Sequence, residues 1–166
     1  MWLPKVKDIE RILNQSGKLI TVQESCPPVE AAAMMDGNQI GCLVILDEQN
    51  NFVGVLTERD MLKVIHKSIP PEKIHVKEIM TSAPIFCNRE TTVSAIEKLM
   101  DEYNIRHLPI VEDGNAVGMI SSRDIITYRL HSDKAMKDAT DHVSEISRKL
   151  KSLHFEDVVE LIINEV

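Results

Sequence analysis

A nine-residue stretch of this chain occurs twice. Residues 54–62 read GVLTERDML, and residues 118–126 read GMISSRDII, with glycine, apolar, hydroxyl, arginine and aspartate positions in register. In each copy an apolar run typical of a strand leads to a hydroxyl residue of the kind that caps a helix. The stretch therefore predicts a strand-to-helix turn that has been duplicated.

The duplication extends on the N-terminal side of the stretch. Residues 40–47 align with residues 105–112, and residues 6–9 align with residues 76–79. A period near 64 residues is longer than the repeats of solenoids and propellers, so each copy is predicted to be half of a domain pair. Because a half of about 60 residues is marginally stable alone, we expect the two halves to pack face to face.

The predicted elements follow the same order in both halves, from apolar spacing and polar turns. In the first half we predict a helix at 6–13, a strand at 19–22, a helix at 29–35, strands at 42–46 and 52–56, and a helix that begins at Thr57. The second half is predicted to repeat them at 76–80, 85–87, 93–103, 108–111 and 116–120. On the helix after Thr57 we expect four apolar residues to face inward: Met61, Leu62, Val64 and Ile65.

The C-terminal part is predicted to be helical. Apolar residues three and four positions apart form a short heptad pattern at Met136, Ala139, Val143, Ile146, Leu150 and Leu153. This pattern indicates a helix that packs on its own domain or on a partner subunit, and a short amphipathic helix is predicted over 155–166. The domain boundaries are therefore predicted at 3–69, 72–131 and 132–166.

Composition excludes several classes of function. A net charge of -7 argues against nucleic acid or an anionic membrane as the main partner. We find no signal peptide and no apolar run long enough for a membrane span, so we expect a cytoplasmic protein. The three cysteines are isolated and are expected to be reduced, and the six histidines show no metal spacing. The sequence has no P-loop, nucleophile elbow or dinucleotide fingerprint, so we predict no catalytic residue.

The tandem Gly-apolar-apolar-(Thr/Ser)-x-x-Asp pattern, together with IRHLPI at 105–110, resembles a pair of CBS domains, the module named after cystathionine β-synthase. The resemblance covers about residues 3–131. It implies an α/β (α+β) fold of two βαββα repeats, each a three-stranded sheet with two helices on one face, packed through their sheets around pseudo-two-fold clefts. It also implies that these clefts hold adenine nucleotides or S-adenosylmethionine and that the module is not an enzyme.

The residues of the duplicated turn suit such a ligand. A carboxylate one helical turn after the strand, at Asp60 and Asp124, is placed to accept both hydroxyls of a ribose. Free N–H groups at the helix start favour an anion. In the second repeat Arg106, His107 and Arg123 add donors for phosphate, so we expect this site to be the stronger one, with affinity rising from adenosine to AMP to ATP. The predicted ligand-binding residues are Ser121, Arg123, Asp124, Arg106, His107, Pro84, Ile85, Thr57, Arg59, Asp60 and Ile20.

Three of these residues need a further comment. Pro84 and Ile85, with Ala83 before them, are expected to provide an apolar surface for the base beside Asp124. His107 also has a second interpretation, as a histidine of the core.

Two alternatives remain open at this point. The hydroxyl-x-x-Asp pattern also describes a capping box, in which the aspartate serves only the helix start. The chain could then be a ligand-free dimerisation module that acts through its dimer surface and C-terminal helices. In either case we expect a homodimer and an effector protein bound to the C-terminal helices. No cofactor is required, and the expected regulatory ligand is AMP, ADP, ATP or S-adenosylmethionine.

Overall fold

The computed structural model of the chain describes residues 3–13, 19–66, 68–70 and 73–152. It divides into two compact units, the first ending at Ile125 and the second beginning at Ile126. The first unit contains the first repeat and the second repeat as far as Ile125. The mixed α/β fold predicted from the sequence is confirmed.

The first repeat has the predicted order of elements. They are α1 (Val6–Leu13), β1 (Thr21–Gln23), α2 (Pro28–Asn38), β2 (Cys42–Leu46), β3 (Phe52–Thr57) and α3 (Glu58–His66). Helix α2 begins at a proline, which fits the first turn because no N–H is required there. It ends at Gln39, whose φ of 54° places it in the left-handed region that stops helices.

The second repeat follows the same order from α4 onward, but the helix predicted at 76–80 is only a short 3-10 turn and the strand predicted at 85–87 is not formed. It contains a 3-10 turn (Val76–Glu78), β4 (Thr81–Ser82), α4 (Val93–Glu102), β5 (His107–Glu112), β6 (Asn115–Ser121) and the start of α5 (Ser122–Ser152). The strand predicted at 85–87 is reduced to a single parallel bridge between Cys87 and Ile110. Ala83 turns the chain with a φ of 48°, and Pro84 has no N–H to donate, so pairing starts only at Cys87.

The sheet of the first repeat has four strands rather than the expected three. Its order is β1-β2-β3-β4, with β1 parallel to β2 and the other neighbours antiparallel. Strand β4 comes from the start of the second repeat and pairs Ser82 with Gly54. A Cβ atom at Gly54 would lie 2.7 Å from the carbonyl oxygen of Thr81. The glycine of the first motif copy is therefore required by the close approach of β4.

The two repeats exchange their leading segments. The N–H of Val6, which begins α1, donates to the carbonyl of Thr91 in the second repeat at 3.0 Å. The equivalent Val76 donates to the carbonyl of Cys26 in the first repeat at 2.9 Å. Val76 is fully buried and packs in the hydrophobic core of the first repeat. Each repeat is therefore completed by the segment that leads into the other.

Charged side chains reinforce one of these exchanges. The ammonium groups of Lys5 and Lys7 each lie 2.6 Å from a different oxygen of Glu90. Their hydrogen bonds lower the pKa of the Glu90 carboxyl to about 2. All three side chains are exposed, so the cluster orients the N-terminal segment more than it stabilises the fold.

Helix α3 buries a narrower face than the apolar pattern predicts. Asp60 and Val64, one turn apart, are buried. Met61 is partly buried and packs against the core, whereas Leu62 and Ile65 are 62% and 73% exposed. The prediction that Leu62 and Ile65 face inward is therefore wrong, because the buried stripe runs along the 60–64 face.

The second unit consists of the rest of α5 as far as the structure describes it. The predicted helix is confirmed to Ser152, while the amphipathic helix predicted over 155–166 lies outside the described residues. The apolar residues of the heptad pattern that the structure describes are exposed, Met136 by 72% and Val143 by 65%. Their packing on a partner stays a prediction.

Candidate functional site

A cleft of about 1110 Å³ is lined by both repeats. Small-molecule sites commonly measure about 300–1,000 Å³, so this space can take a nucleotide-sized ligand. The first repeat lines it with residues before β1, the end of α2, the start of β2 and the start of α3. The second repeat lines it with the starts of β5 and α5 and the middle of β6.

Asp124 is fixed in this cleft by the start of α5. Both the N–H and the hydroxyl of Ser121 donate to its Oδ2, at 2.7 Å and 2.6 Å. The N–H of Asp124 donates back to the Ser121 hydroxyl at 3.3 Å, which confirms the capping geometry expected from the sequence. Because a carboxylate has about four acceptor positions, capping and ligand binding do not exclude one another.

Asp60 accepts the two equivalent hydrogen bonds in different surroundings. The N–H and hydroxyl of Thr57 donate to its Oδ2 at 2.9 Å and 2.7 Å. Its Oδ1 accepts a 2.6 Å hydrogen bond from Lys63, and the residue is only 3% exposed. Neither Thr57 nor Asp60 is among the residues that line the cleft. The Asp60 carboxylate therefore belongs to a local network outside the lining of the cleft, whereas Glu58 of the same turn lines it.

Arg59 also lies outside the lining of the cleft. Its Nη1 donates to the carbonyl of Asn104 at 3.5 Å, which links α3 to the loop between α4 and β5. The equivalent Arg123 lines the cleft. Of the two motif arginines, Arg123 therefore lines the cleft together with Asp124, and Arg59 forms a hydrogen bond from the first repeat to the second.

The apolar wall beside Asp124 is not the one expected. Leu19 and Ile20, just before β1, line the cleft together with Asp124, whereas Pro84 and Ile85 do not. The leading strand of one repeat thus meets the helix start of the other. Ile20, a predicted site residue, lies in the cleft. The structure does not bring Pro84 and Ile85 into the lining of this cleft, and their part in ligand binding stays a prediction.

His107 lies half-buried at the start of β5 and lines the cleft. Burial lowers its pKa below the usual 6.5, and the positive charge of Arg106 acts in the same direction. The carboxylates of Asp124 and Glu58 raise its pKa but do not reverse the shift. The imidazole is therefore neutral at pH 7 and offers one donor and one acceptor.

The family model of the CBS domain matches residues 6–67 and 76–131. The chain belongs to the CBS-domain family. An uncharacterised protein of Methanopyrus kandleri is 34% identical over 110 residues, which are 65% of this chain and 56% of that protein. The chain spans between 32% and 56% of the length of the first three curated relatives.

Solved CBS structures share the fold. A CBS-domain protein of Agrobacterium tumefaciens superposes with a TM-score of 0.70 at 28% identity, over 75% of this chain and 92% of that one. The CBS domain pair of protein MJ0100, solved in complex with 5'-methylthioadenosine and S-adenosyl-L-methionine, is 31% identical, with a TM-score of 0.67. The match covers 80% of this chain and 99% of that one.

Sequence reasoning missed two carboxylates of the CBS pair, Asp36 and Glu58, which also line the cleft. The Glu58 carboxylate lies over Gly41, where a Cβ atom would be 3.0 Å from its Oε2. A signal was present in the duplication, since Glu58 aligns with Ser122 while Gly41 aligns with Arg106. Each repeat has one small and one charged residue at these two positions.

Cys42 occupies the position equivalent to His107 and also lines the cleft. Burial, and then the nearby Asp60 carboxylate, raise the pKa of its thiol to about 12. The thiol therefore stays protonated and contributes a small, weakly polar surface. Cys42 and Cys87 are buried thiols, and the Cys26 thiol is half-buried.

The part of the chain that the structure describes contains neither a metal-binding cluster nor a membrane-spanning helix. Within those ranges, no group of three or more histidine, cysteine, aspartate or glutamate side chains is placed to hold a metal ion. Over the same ranges, none of the helices has the length and apolar character needed to cross a bilayer.

Proposed function

We propose that this CBS pair is a regulatory module that binds an adenosine-containing ligand, from among AMP, ADP, ATP and S-adenosylmethionine, in the cleft around Asp124. The observation that carries the proposal is the fixed Asp124 carboxylate at a helix start, inside a cleft large enough for a nucleotide. Neighbouring hydroxyls of a ribose are the natural partners of such a bidentate acceptor.

The other lining residues divide between the two ends of the ligand. Leu19 and Ile20 offer apolar surface against which a base can lie. Arg106, Arg123 and the neutral His107 offer hydrogen-bond donors for the end beyond the ribose. The solved pair of protein MJ0100, with its two adenosine-containing ligands, supports the same chemical class. We assign no catalytic step to these residues.

A second candidate function is assembly without a ligand. Leu62 and Ile65 on α3 and Val143 on α5 are apolar side chains with 62%, 73% and 65% exposure, and such residues are common where proteins associate. This function would act through a homodimer surface on α3 and an effector protein bound to α5. The two functions are compatible, and we place both in the cytoplasm.

Thermal unfolding with and without ligand tests the main proposal. Ligand at about 100 times its Kd stabilises a protein by roughly 2.7 kcal/mol, which gives a clear rise in Tm. We expect this rise for the parent protein and its loss in Asp124→Asn. The matched control is Asp101→Asn, an exposed change on α4 that should respond like the parent. If AMP, ATP and S-adenosylmethionine all leave the parent Tm unchanged at millimolar concentration, the assembly function replaces the proposal.

A further inference from the structure

The cleft has unlike charges at positions that the duplication makes equivalent. The N–H of Glu58 donates to the carbonyl of Gly41 at 3.2 Å, and the N–H of Ser122 donates to the carbonyl of Arg106 at 3.0 Å. The backbone corner is therefore the same in both repeats. The side chains are reversed, because the first repeat has its charge on the helix and the second has its charge on the strand.

These corners give the cleft one negative and one positive side chain. In the first repeat the missing side chain of Gly41 leaves room for the Glu58 carboxylate, whose Oε2 is 3.0 Å from the position of a Cβ atom there. In the second repeat the small Ser122 accompanies the exposed guanidinium of Arg106. Glu58, Arg106 and His107 line the same cleft, so the two charges belong to one site. Arg106 lowers the pKa of His107 and Glu58 raises it.

The remaining charges of the cleft do not favour a polyphosphate. Three carboxylates line it, from Asp36, Glu58 and Asp124, against two guanidinium groups, from Arg106 and Arg123. Among the described lining residues there is no lysine, and His107 is neutral at pH 7. A triphosphate would bring several negative charges close to three carboxylates, and like charges in a partly desolvated site repel strongly.

We propose, building on the proposed function, that the end of the ligand beyond the ribose is a zwitterionic amino acid. Its carboxylate would pair with Arg106 and its ammonium group with Glu58. The ligand class is then an adenosine joined to an amino acid, as in S-adenosylmethionine and S-adenosylhomocysteine, in preference to AMP, ADP or ATP. This inference reverses the order of affinity expected from the sequence, in which ATP came first.

Calorimetric titration of the full chain with five ligands tests this inference. 5'-Methylthioadenosine keeps the adenosine and thioether but lacks the amino acid. Its affinity therefore reports the contribution of the residues that do not contact the amino acid. We expect S-adenosylmethionine and S-adenosylhomocysteine to bind at least about tenfold more tightly than 5'-methylthioadenosine, because hydrogen bonds between charged groups are worth that much or more. AMP and ATP should bind more weakly than S-adenosylhomocysteine.

Variants identify the residues responsible. Glu58→Gln and Arg106→Gln should each weaken S-adenosylhomocysteine about tenfold and leave 5'-methylthioadenosine within about twofold of the parent. Glu58→Gln should also strengthen ATP binding. Glu102→Gln, an exposed change at the end of α4 outside the lining of the cleft, is the control and should match the parent for every ligand.

The outcomes separate the two proposals. If 5'-methylthioadenosine binds but S-adenosylhomocysteine binds no more tightly, or if ATP binds more tightly than either amino-acid ligand, the zwitterion inference is overturned while the adenosine cleft stands. Unchanged affinities in both Glu58→Gln and Arg106→Gln also overturn it. If none of the five ligands binds, the proposed function fails and this inference fails with it.

Discussion

The turns at residues 57–60 and 121–124 share two hydrogen bonds to the aspartate, from the N–H and the hydroxyl of the residue three positions before it, yet their carboxylates face different surroundings. Asp60 is 3% exposed and is paired with Lys63, whereas Asp124 is half-buried and lines the cleft. Position 127, equivalent to Lys63, holds a threonine. The cap therefore belongs to the shared fold, and residues outside the cap decide whether the aspartate is buried or faces the cleft.

The largest expected difference is in stability. Asp60→Ala removes a buried carboxylate that accepts three hydrogen bonds, so we expect it to lower the free energy of unfolding by about 2–3 kcal/mol. Asp124→Ala should lower it by less, because Asp124 is half-buried and its carboxylate stays closer to water, and it should also remove ligand binding. Urea unfolding of both variants measures this. Equal losses would contradict the assignment of Asp60 to the core.

A second prediction concerns the glycine that opens the first motif copy. Gly54→Ala should lower the free energy of unfolding by about 1–3 kcal/mol, because its Cβ atom would meet the backbone of β4. Gly37, inside α2, has no atom within 4 Å of the position that a Cβ atom would take, so Gly37→Ala should instead raise stability by about 0.5–1 kcal/mol. Thermal unfolding of the two variants should give Tm shifts of opposite sign. An unchanged Tm in Gly54→Ala would contradict the prediction and show that β4 can move away from position 54.

The contrast between Lys63 and Thr127 can be tested by transferring the lysine. Thr127→Lys places an ammonium group three residues after Asp124 on the same helix, the spacing at which Lys63 reaches Asp60. We expect the new ion pair to compete with the ligand and weaken its binding by about tenfold, or about 1.4 kcal/mol. Calorimetry measures the affinity, and Thr127→Met is the control for size. If both variants bind like the parent, the residue at 127 does not decide the role of Asp124.

The smallest expected effect is a pH dependence of stability in the range from pH 5 to pH 7.5. His107 contributes to it, whereas Cys42, at the equivalent position of the first repeat, does not. The pKa of His107 is lowered in the folded protein, so its contribution to stability is complete above the usual value of 6.5. As the pH falls below 6.5, the unfolded chain binds a proton before the folded one does, and stability falls. His107→Gln should flatten this slope. Urea midpoints between pH 7.5 and pH 5 measure it, with His131→Gln, an exposed histidine, as the control; equal slopes in the parent and His107→Gln would be the contrary result.

Much of the fold could be predicted because duplication and periodicity are local signals. The element order and the caps at Ser121 and Thr57 follow from residues close together in the chain. The lysine three residues after Asp60 is a local signal for an ion pair, but the spacing alone does not show whether such a pair is buried. On α3, four apolar residues cover more than one face, so the pattern could not select the buried one.

The composition of the cleft depends on contacts between repeats, which an alignment of the repeats does not contain. The alignment shows that Ile20 and Ile85 are equivalent, but not which of them meets Asp124. It also leaves the direction of the Glu58 side chain open, because that direction depends on the empty space at Gly41. Strand β4 was missed for a related reason, since Thr81 and Ser82 have no apolar pattern of their own.

The exchange of leading segments determines when the chain can complete its fold during synthesis. The ammonium group of Lys5 meets Glu90, 85 positions further along, and the buried Val76 fills the core of the first repeat. The first repeat therefore stays incomplete at the ribosome until the beginning of the second has emerged. Contacts so distant in sequence slow folding. We expect the two repeats to fold as a single cooperative unit, so that a nascent chain ending near residue 70 exposes the core that Val76 later covers.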